Sequence, residues 1–190
     1  MSNSQEIKVW DLLVRIFHWS LLVSVLVAFI TEDDLLTLHT WAGYSVAALI
    51  AVRLIWGLIG SHYARFSEFV RPPSVIHRYI KDVIAFRAER HIGHNPAGGA
   101  MVMALIVMLV LVSLSGMSTY GILEYSGPLA SVLSGAPESW GSLIKEMHEF
   151  LADGLLVLVG LHLGGIAIAS LQHRENLVRA MWTGKKRIDE

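Results

Sequence analysis

The sequence predicts an all-α integral membrane protein: a four-transmembrane-helix bundle, both termini cytoplasmic, with an amphipathic helix on the inner membrane surface. Three observations lead there. Of 190 residues, 54% are hydrophobic and 16% charged, against about 25% charged in an ordinary soluble domain. Four apolar runs are each long enough for a bilayer, which needs about 20 helical residues. Of 15 Lys and Arg residues, 14 lie in the N-terminal part, the loop between the second and third runs, the C-terminal tail, or the run ends facing them. Only Lys145 falls in the other two loops. By the positive-inside rule, that asymmetry places both termini in the cytoplasm. Residues 1–190 read as one membrane domain.

The first span is Leu12 to Ile30. The segment before it, Ser2 to Lys8, is weakly charged, and no small-residue cleavage site follows. An uncleaved membrane helix is therefore expected rather than a signal peptide. Acidic Glu32-Asp33-Asp34 turns the chain into the second span, Leu38 to Ile59. After Pro72-Pro73, the stretch Ser74 to Arg90 places Val75, Ile76, Tyr79, Ile80, Val83 and Ile84 at helical spacing among Arg78, Lys81, Arg87 and Arg90. That pattern favours a helix lying on the membrane surface over a plain connector. Asn95-Pro96 opens the third span, Ala97 to Met117, with Asn as N-cap and Pro at the first helical position. Ser118 to Met147 reads as a long outer loop, with Gly or Pro at 121, 127, 128, 135 and 137. Loops of that length are often functional. The fourth span is His148 to Leu171.

There is no cysteine. That excludes disulfides, thiolate zinc sites, iron–sulfur ligation and covalent C-x-x-C-H haem attachment. Histidine is the remaining strong ligand, and four histidines lie in the spans: His18, His39, His148 and His162. A polar ring in hydrocarbon is costly and usually functional. His148 and His162 are 14 residues apart, just under four turns, so both rings leave one helix face about 21 Å apart. Alternating span direction then sorts the four by depth. His39 and His148 share the outer level; His18 and His162 share the inner one. Two histidines at one depth can fill both axial positions of a haem iron, which suits electron transfer rather than oxygen chemistry. Gly43, one turn from His39, and Gly160, Gly164 and Gly165 around His162 leave room for a ring. Divalent-metal transport and a proton path are the rivals. Metal transport wants ligands converging on one point, and Asp153 is the main carboxylate in the spans.

Arg53 lies 14 residues after His39, and Arg15 lies three before His18. A guanidinium near the bilayer interior needs an anionic partner, and haem propionates would serve. Snorkelling to headgroups is the alternative for both, and the favoured one for Arg53. His62, His77, His91, His94 and His173 read as solvated or capping residues. The methionines read as packing, with Met101 or Met108 unneeded as ligands.

The order of several short stretches is distinctive. They are Val9-Trp10-Asp11 with Arg15 and Phe17-His18-Trp19; His39-Thr40-Trp41-Ala42-Gly43-Tyr44; and Arg53 with Trp56-Gly57. They continue with His94-Asn95-Pro96-Ala97-Gly98-Gly99; His148 with His162; and Arg174-Glu175-Asn176-Leu177 before Gly184-Lys185. Together they resemble the bacterial di-haem cytochrome b family, which includes stand-alone cytochrome b561 and the cytochrome b subunits of membrane nickel–iron hydrogenases. The resemblance implies a bacterial inner-membrane, multi-pass bundle holding two b haems, with ligands at His18, His39, His148 and His162. It also implies quinone chemistry and exchange with a redox partner at the outer face.

The resulting expectation is an electron carrier between the quinone pool and a periplasmic c-type cytochrome or oxidoreductase subunit. The lipid bilayer is a further partner, and no nucleic acid is expected. The alternative is a stand-alone membrane oxidoreductase, such as a superoxide:quinone oxidoreductase. The outer loops carry Glu32, Asp33, Asp34, Glu124, Glu138 and Glu146 against Lys145 alone. That field repels an anionic substrate and steers in a basic protein face, which favours the carrier.

Overall fold

The computed structural model describes residues 5–32 and 34–188. Ser2 to Ser4 of the leading segment and Asp33 of the acidic turn lie outside the described residues. In chain order the elements begin with β1 (Glu6–Lys8), α1 (Leu12–Ile30) and α2 (Leu36–Ile59). A 3-10 turn (His62–Ala64), α3 (Phe66–Phe69) and α4 (Pro73–Ile84) follow. Then come α5 (Pro96–Leu123), α6 (Ala130–Leu133), α7 (Glu138–Gln172), α8 (Leu177–Thr183) and β2 (Lys185–Arg187). The protein is an all-α membrane protein: α1, α2, α5 and α7 are each long and apolar enough to cross a bilayer. The strands pair antiparallel, with Ile7 opposite Lys186.

The expected third span ends at Leu123 rather than Met117, and the fourth begins at Glu138 rather than His148. The 30-residue outer loop is thereby corrected to 124–137, with α6 inside it. Residues 138–147 are too polar to read as membrane-spanning. A helix need not stop at the membrane, however, and the 35 residues of α7 rise about 52 Å against a hydrocarbon core of about 30 Å. Gly141 lets this extension press onto the end of α5. A Cβ there would collide with the Leu123 and Ile122 side chains. Gly121 does the same for the loop, since a Cβ there would sit 3.2 Å from the Leu129 carbonyl carbon.

The chain divides into two compact units, and every long helix gives a segment to each. The first comprises 1–20, 51–103 and 160–190 and holds 14 of the 15 Lys and Arg residues. The second comprises 21–50 and 104–159 and holds Lys145 alone against eight Asp and Glu. They are called here the basic and the acidic unit.

The basic unit is organised around Val9, Trp10, Val14 and Ala64, with Trp56, Tyr63, Ile92 and Met181 packed against them. Asp11 caps α1: one carboxylate oxygen accepts from Val14 N at 2.8 Å, the other from Trp56 Nε1 at 3.0 Å and from Ser61 Oγ. Burial alone would raise the Asp11 pKa, but these donors outweigh it and hold the carboxyl below its ordinary value. The tail folds back onto the same place. Asn176 caps α8 through Arg179 N at 2.7 Å. Gly184 ends α8 at φ 80°, a left-handed conformation suited to glycine. Its carbonyl accepts from Val9 N and Trp10 N at 2.8 and 3.1 Å. Glu175 ties the tail to the 90–94 loop, accepting from Arg90 at 3.1 Å and from buried Lys186 at 3.0 Å.

The predicted amphipathic helix is α4, and it stops at Ile84 rather than Arg90. Phe86 takes a left-handed φ of 53° just beyond and redirects the chain. Asn95 caps α5 as expected, accepting from Gly98 N at 2.7 Å. The acidic unit buries Ala42, Val46, Ile50, Ile106, Leu109 and Leu155. The outward side chains of the long helices, such as Leu171 and Phe150, are exposed and apolar, as lipid requires.

Candidate haem-ligand sites

In the acidic unit, α2 and α7 bring His39 and His148 together. Their ring centroids are 6.1 Å apart and their planes 86° from parallel. His39 Nδ1 lies 2.9 Å from the Ala28 carbonyl. A carbonyl only accepts, so Nδ1 carries the proton and the lone pair is left on Nε2. His148 is set the same way. Its Nδ1 lies 3.0 Å from the Val112 carbonyl and 3.0 Å from Ser115 Oγ. Ser115 Oγ itself donates to Val112 O at 3.0 Å. Gly116 leaves room for the ring, because a Cβ there would stand 2.9 Å from His148 Cε1. Both imidazoles are therefore oriented by a carbonyl behind them and keep Nε2 free, the arrangement of a metal-ligating histidine.

The spacing fits one metal ion between them. Two imidazoles binding from opposite sides, with bonds of about 2 Å, put their centroids about 6 Å apart. Among the described residues, no group of three or more His, Asp or Glu converges. A protein-only metal site would need more ligands than two. A haem supplies its own equatorial nitrogens and asks the protein for axial ligands alone. Gly43, one turn along α2 from His39, would meet nothing within 4 Å with a Cβ added. The residues present fit a haem.

In the basic unit, α1 contributes His18 and α7 contributes His162, within electrostatic reach of each other. His18 stands edge-on to Trp19 at 5.2 Å, and its Nδ1 is sealed from solvent without a hydrogen-bond partner among the described residues. Among the described residues, His18 thus lacks the carbonyl backing seen at His39 and His148. Gly160, Gly164 and Gly165 again face open space.

Arg53 belongs to the basic unit and is only 3% exposed. It does not snorkel outward. Nη2 donates to the Ala64 carbonyl at 3.0 Å, and the guanidinium lies 5.0 Å over the Phe66 ring. Nη1 is buried with no hydrogen-bond partner among the described residues. The nearby Asp11 carboxylate is already engaged by Trp56, Ser61 and Val14. A buried cation with an idle donor suits an anionic group of a bound cofactor. Arg15 is more committed. It donates to the Trp182 carbonyl in the last turn of α8, a favourable place for a cation, although its Nε is buried and unpartnered.

His94 corrects an expectation. It is not a solvated or capping residue; its ring sits 4.6 Å from both Trp10 and Phe69. Its Nδ1 is sealed without a hydrogen-bond partner among the described residues, and burial, then Arg53, Lys186 and His162, push its pKa down to about 3. The sequence signal was present in Trp10 and Phe69, but only the fold brings those rings to one side chain. His62 pairs with Glu68 at 3.4 Å and His77 is exposed, as expected of surface histidines.

A family model described as prokaryotic cytochrome b561 matches residues 9–184. The chain belongs to the prokaryotic cytochrome b561 family. No curated protein and no solved structure matches it. Family membership makes it a multi-pass membrane b-type cytochrome of electron transfer, with b haem as its cofactor. The match covers all four span histidines, Arg15, Arg53 and His94.

Proposed function

We propose that this prokaryotic cytochrome b561 carries two b haems and passes electrons between the quinone pool and a redox protein on the side faced by its acidic loops. That partner would be a periplasmic c-type cytochrome or an oxidoreductase subunit, and the membrane would be the bacterial inner membrane. The observation that carries the reading is the His39–His148 pair, 6.1 Å apart with each Nδ1 at a carbonyl.

In this reading His39 and His148 hold one haem, and His18 and His162 the other. Each iron supplies a one-electron couple when bound. The chain's own residues do the rest. Ala28 and Val112 carbonyls fix the tautomer of the first pair and raise its basicity. Held by two histidines in this way, a haem would serve electron transfer rather than the binding of small ligands. Arg53 Nη1 would hold an anionic propionate of such a group, and Arg15 Nε is the second candidate. The acidic unit, with Lys145 its lone cation, steers a basic protein face and disfavours an anionic small substrate such as superoxide.

The deciding experiment is haem quantification with a reduced-minus-oxidised spectrum on the purified chain. Two b haems per chain are expected; absence of b haem overturns the reading. Electron exchange with a basic cytochrome c should slow severalfold as ionic strength rises from about 10 to 200 mM, because steering is screened.

A further inference from the structure

The amphipathic helix α4 (Pro73–Ile84) has three sides with different surroundings. Ile76, Tyr79 and Val83 face the protein; Tyr79 is buried, stands edge-on to His91 at 5.5 Å and donates to the Glu89 carbonyl at 3.3 Å. Ile80 and Ile84 form a second strip that is 43% and 74% exposed, and Phe86 continues it at 75%. Arg78 and Lys81 lie on the exposed third side. Arg71 stands just before the helix.

These three cations differ from their neighbour. Arg87 has Asp82 at 2.8 Å, whereas Arg71, Arg78 and Lys81 have no carboxylate within 4 Å among the described residues. Arg71 spends one nitrogen on the Glu68 carbonyl at 2.8 Å and lines a cavity of about 370 Å³. Tyr63, Phe69 and Ile92 line the cavity together with the polar or charged His62, Glu68, Arg90 and His91. An exposed apolar ridge flanked by unpaired cations, with a cavity of mixed polar and apolar lining alongside, matches the layering of a lipid leaflet: chains, glycerol, then phosphate. It sits in the unit that carries 14 of the 15 basic residues, where an anionic headgroup is attracted.

We propose that α4 and the adjoining cavity form a seat for an anionic phospholipid, its phosphate held by Arg71, Arg78 and Lys81 and its acyl chains lying on Ile80, Ile84 and Phe86. The seat stands apart from the haem reading and does not depend on it.

The test uses the full chain in nanodiscs of phosphatidylcholine alone and with about one third phosphatidylglycerol, read by thermal melting and by native mass spectrometry of retained lipid. Phosphatidylglycerol should raise the melting temperature and stay bound. R71Q/R78Q/K81Q should melt like the parent in phosphatidylcholine but lose the phosphatidylglycerol shift, with lipid affinity down about fivefold per cation removed. I80Q/I84Q/F86Q, with the charges intact, should also retain less lipid. R174Q/R179Q, elsewhere in the same unit, should keep the full response. Equal responses from parent and R71Q/R78Q/K81Q overturn the proposal. So does reproduction of the shift by inorganic phosphate or glycerol phosphate in pure phosphatidylcholine, which would mark a free-phosphate site instead.

Discussion

His39 and His148 come from helices far apart in sequence, yet their rings stand 6.1 Å apart with a carbonyl behind each. In the proposed pairing, replacing either by Ala takes away one candidate haem ligand and leaves His18 and His162 in place. Haem content should fall from two per chain to one, measured as the pyridine haemochrome. Loss of both haems, or of neither, would show that the pairs are wrongly assigned.

Gly116 tests the same site without altering a ligand. A Cβ at this position would lie 2.9 Å from His148 Cε1, tighter than real contacts. The ring has little freedom to yield, because Val112 and Ser115 hold its Nδ1. Gly116→Ala should therefore lower occupancy of the haem proposed at His39–His148 and shift its potential. Gly43→Ala should leave the melting of the haem-free chain unchanged, since that Cβ would meet no protein atom within 4 Å, yet lower haem occupancy, because the added methyl intrudes on the space the proposed haem would fill. If both variants bind haem like the parent, the packing argument at His148 is wrong.

The four spans were legible because hydropathy depends on composition over a window, and membrane composition is unmistakable. The ligand candidates were legible because a 14-residue interval fixes the helix face whatever the fold. The first ten residues of α7 were not. Glu138, Lys145 and Glu146 make that segment look like loop, and what holds it helical is a contact, Gly141 against Leu123 and Ile122. His94 was missed for a similar reason. Its enclosure depends on Trp10, Phe69 and Arg53, all distant in sequence. The fate of Arg53 also turned on tertiary structure, since snorkelling needs an open path and Phe66 with Ala64 closes it.

Glu175 should be the most sensitive residue of the tail. It faces Arg90 at 3.1 Å and Lys186 at 3.0 Å, and Lys186 is 6% exposed. Glu175→Gln leaves two cations without a counterion in a confined place. Breaking such a pair from one side costs about 3–5 kcal/mol. The variant should melt well below the parent in detergent, with the β1–β2 pairing opening first by hydrogen exchange. Equal melting would mean the cluster is solvated enough to do without its anion.

His94 sets an acid limit on stability. Its folded pKa is about 3, whereas a free histidine titrates near 6.5. Below pH 6.5 the unfolded chain binds a proton that the folded chain refuses, so stability falls as pH drops from about 6.5 toward 3 and is insensitive to this residue above that window. The cause is burial first, then the positive charge of Arg53 and Lys186. His94→Phe keeps an aromatic ring between Trp10 and Phe69 and cannot take up a proton. It should match the parent at pH 7.5 and exceed it at pH 5. His94→Ala removes the ring and should lose about 2 kcal/mol or more at either pH, through lost packing. Thermal melting of the three proteins at both pH values separates the effects. A parent and His94→Phe pair with the same pH dependence would show that His94 is protonated in the folded protein.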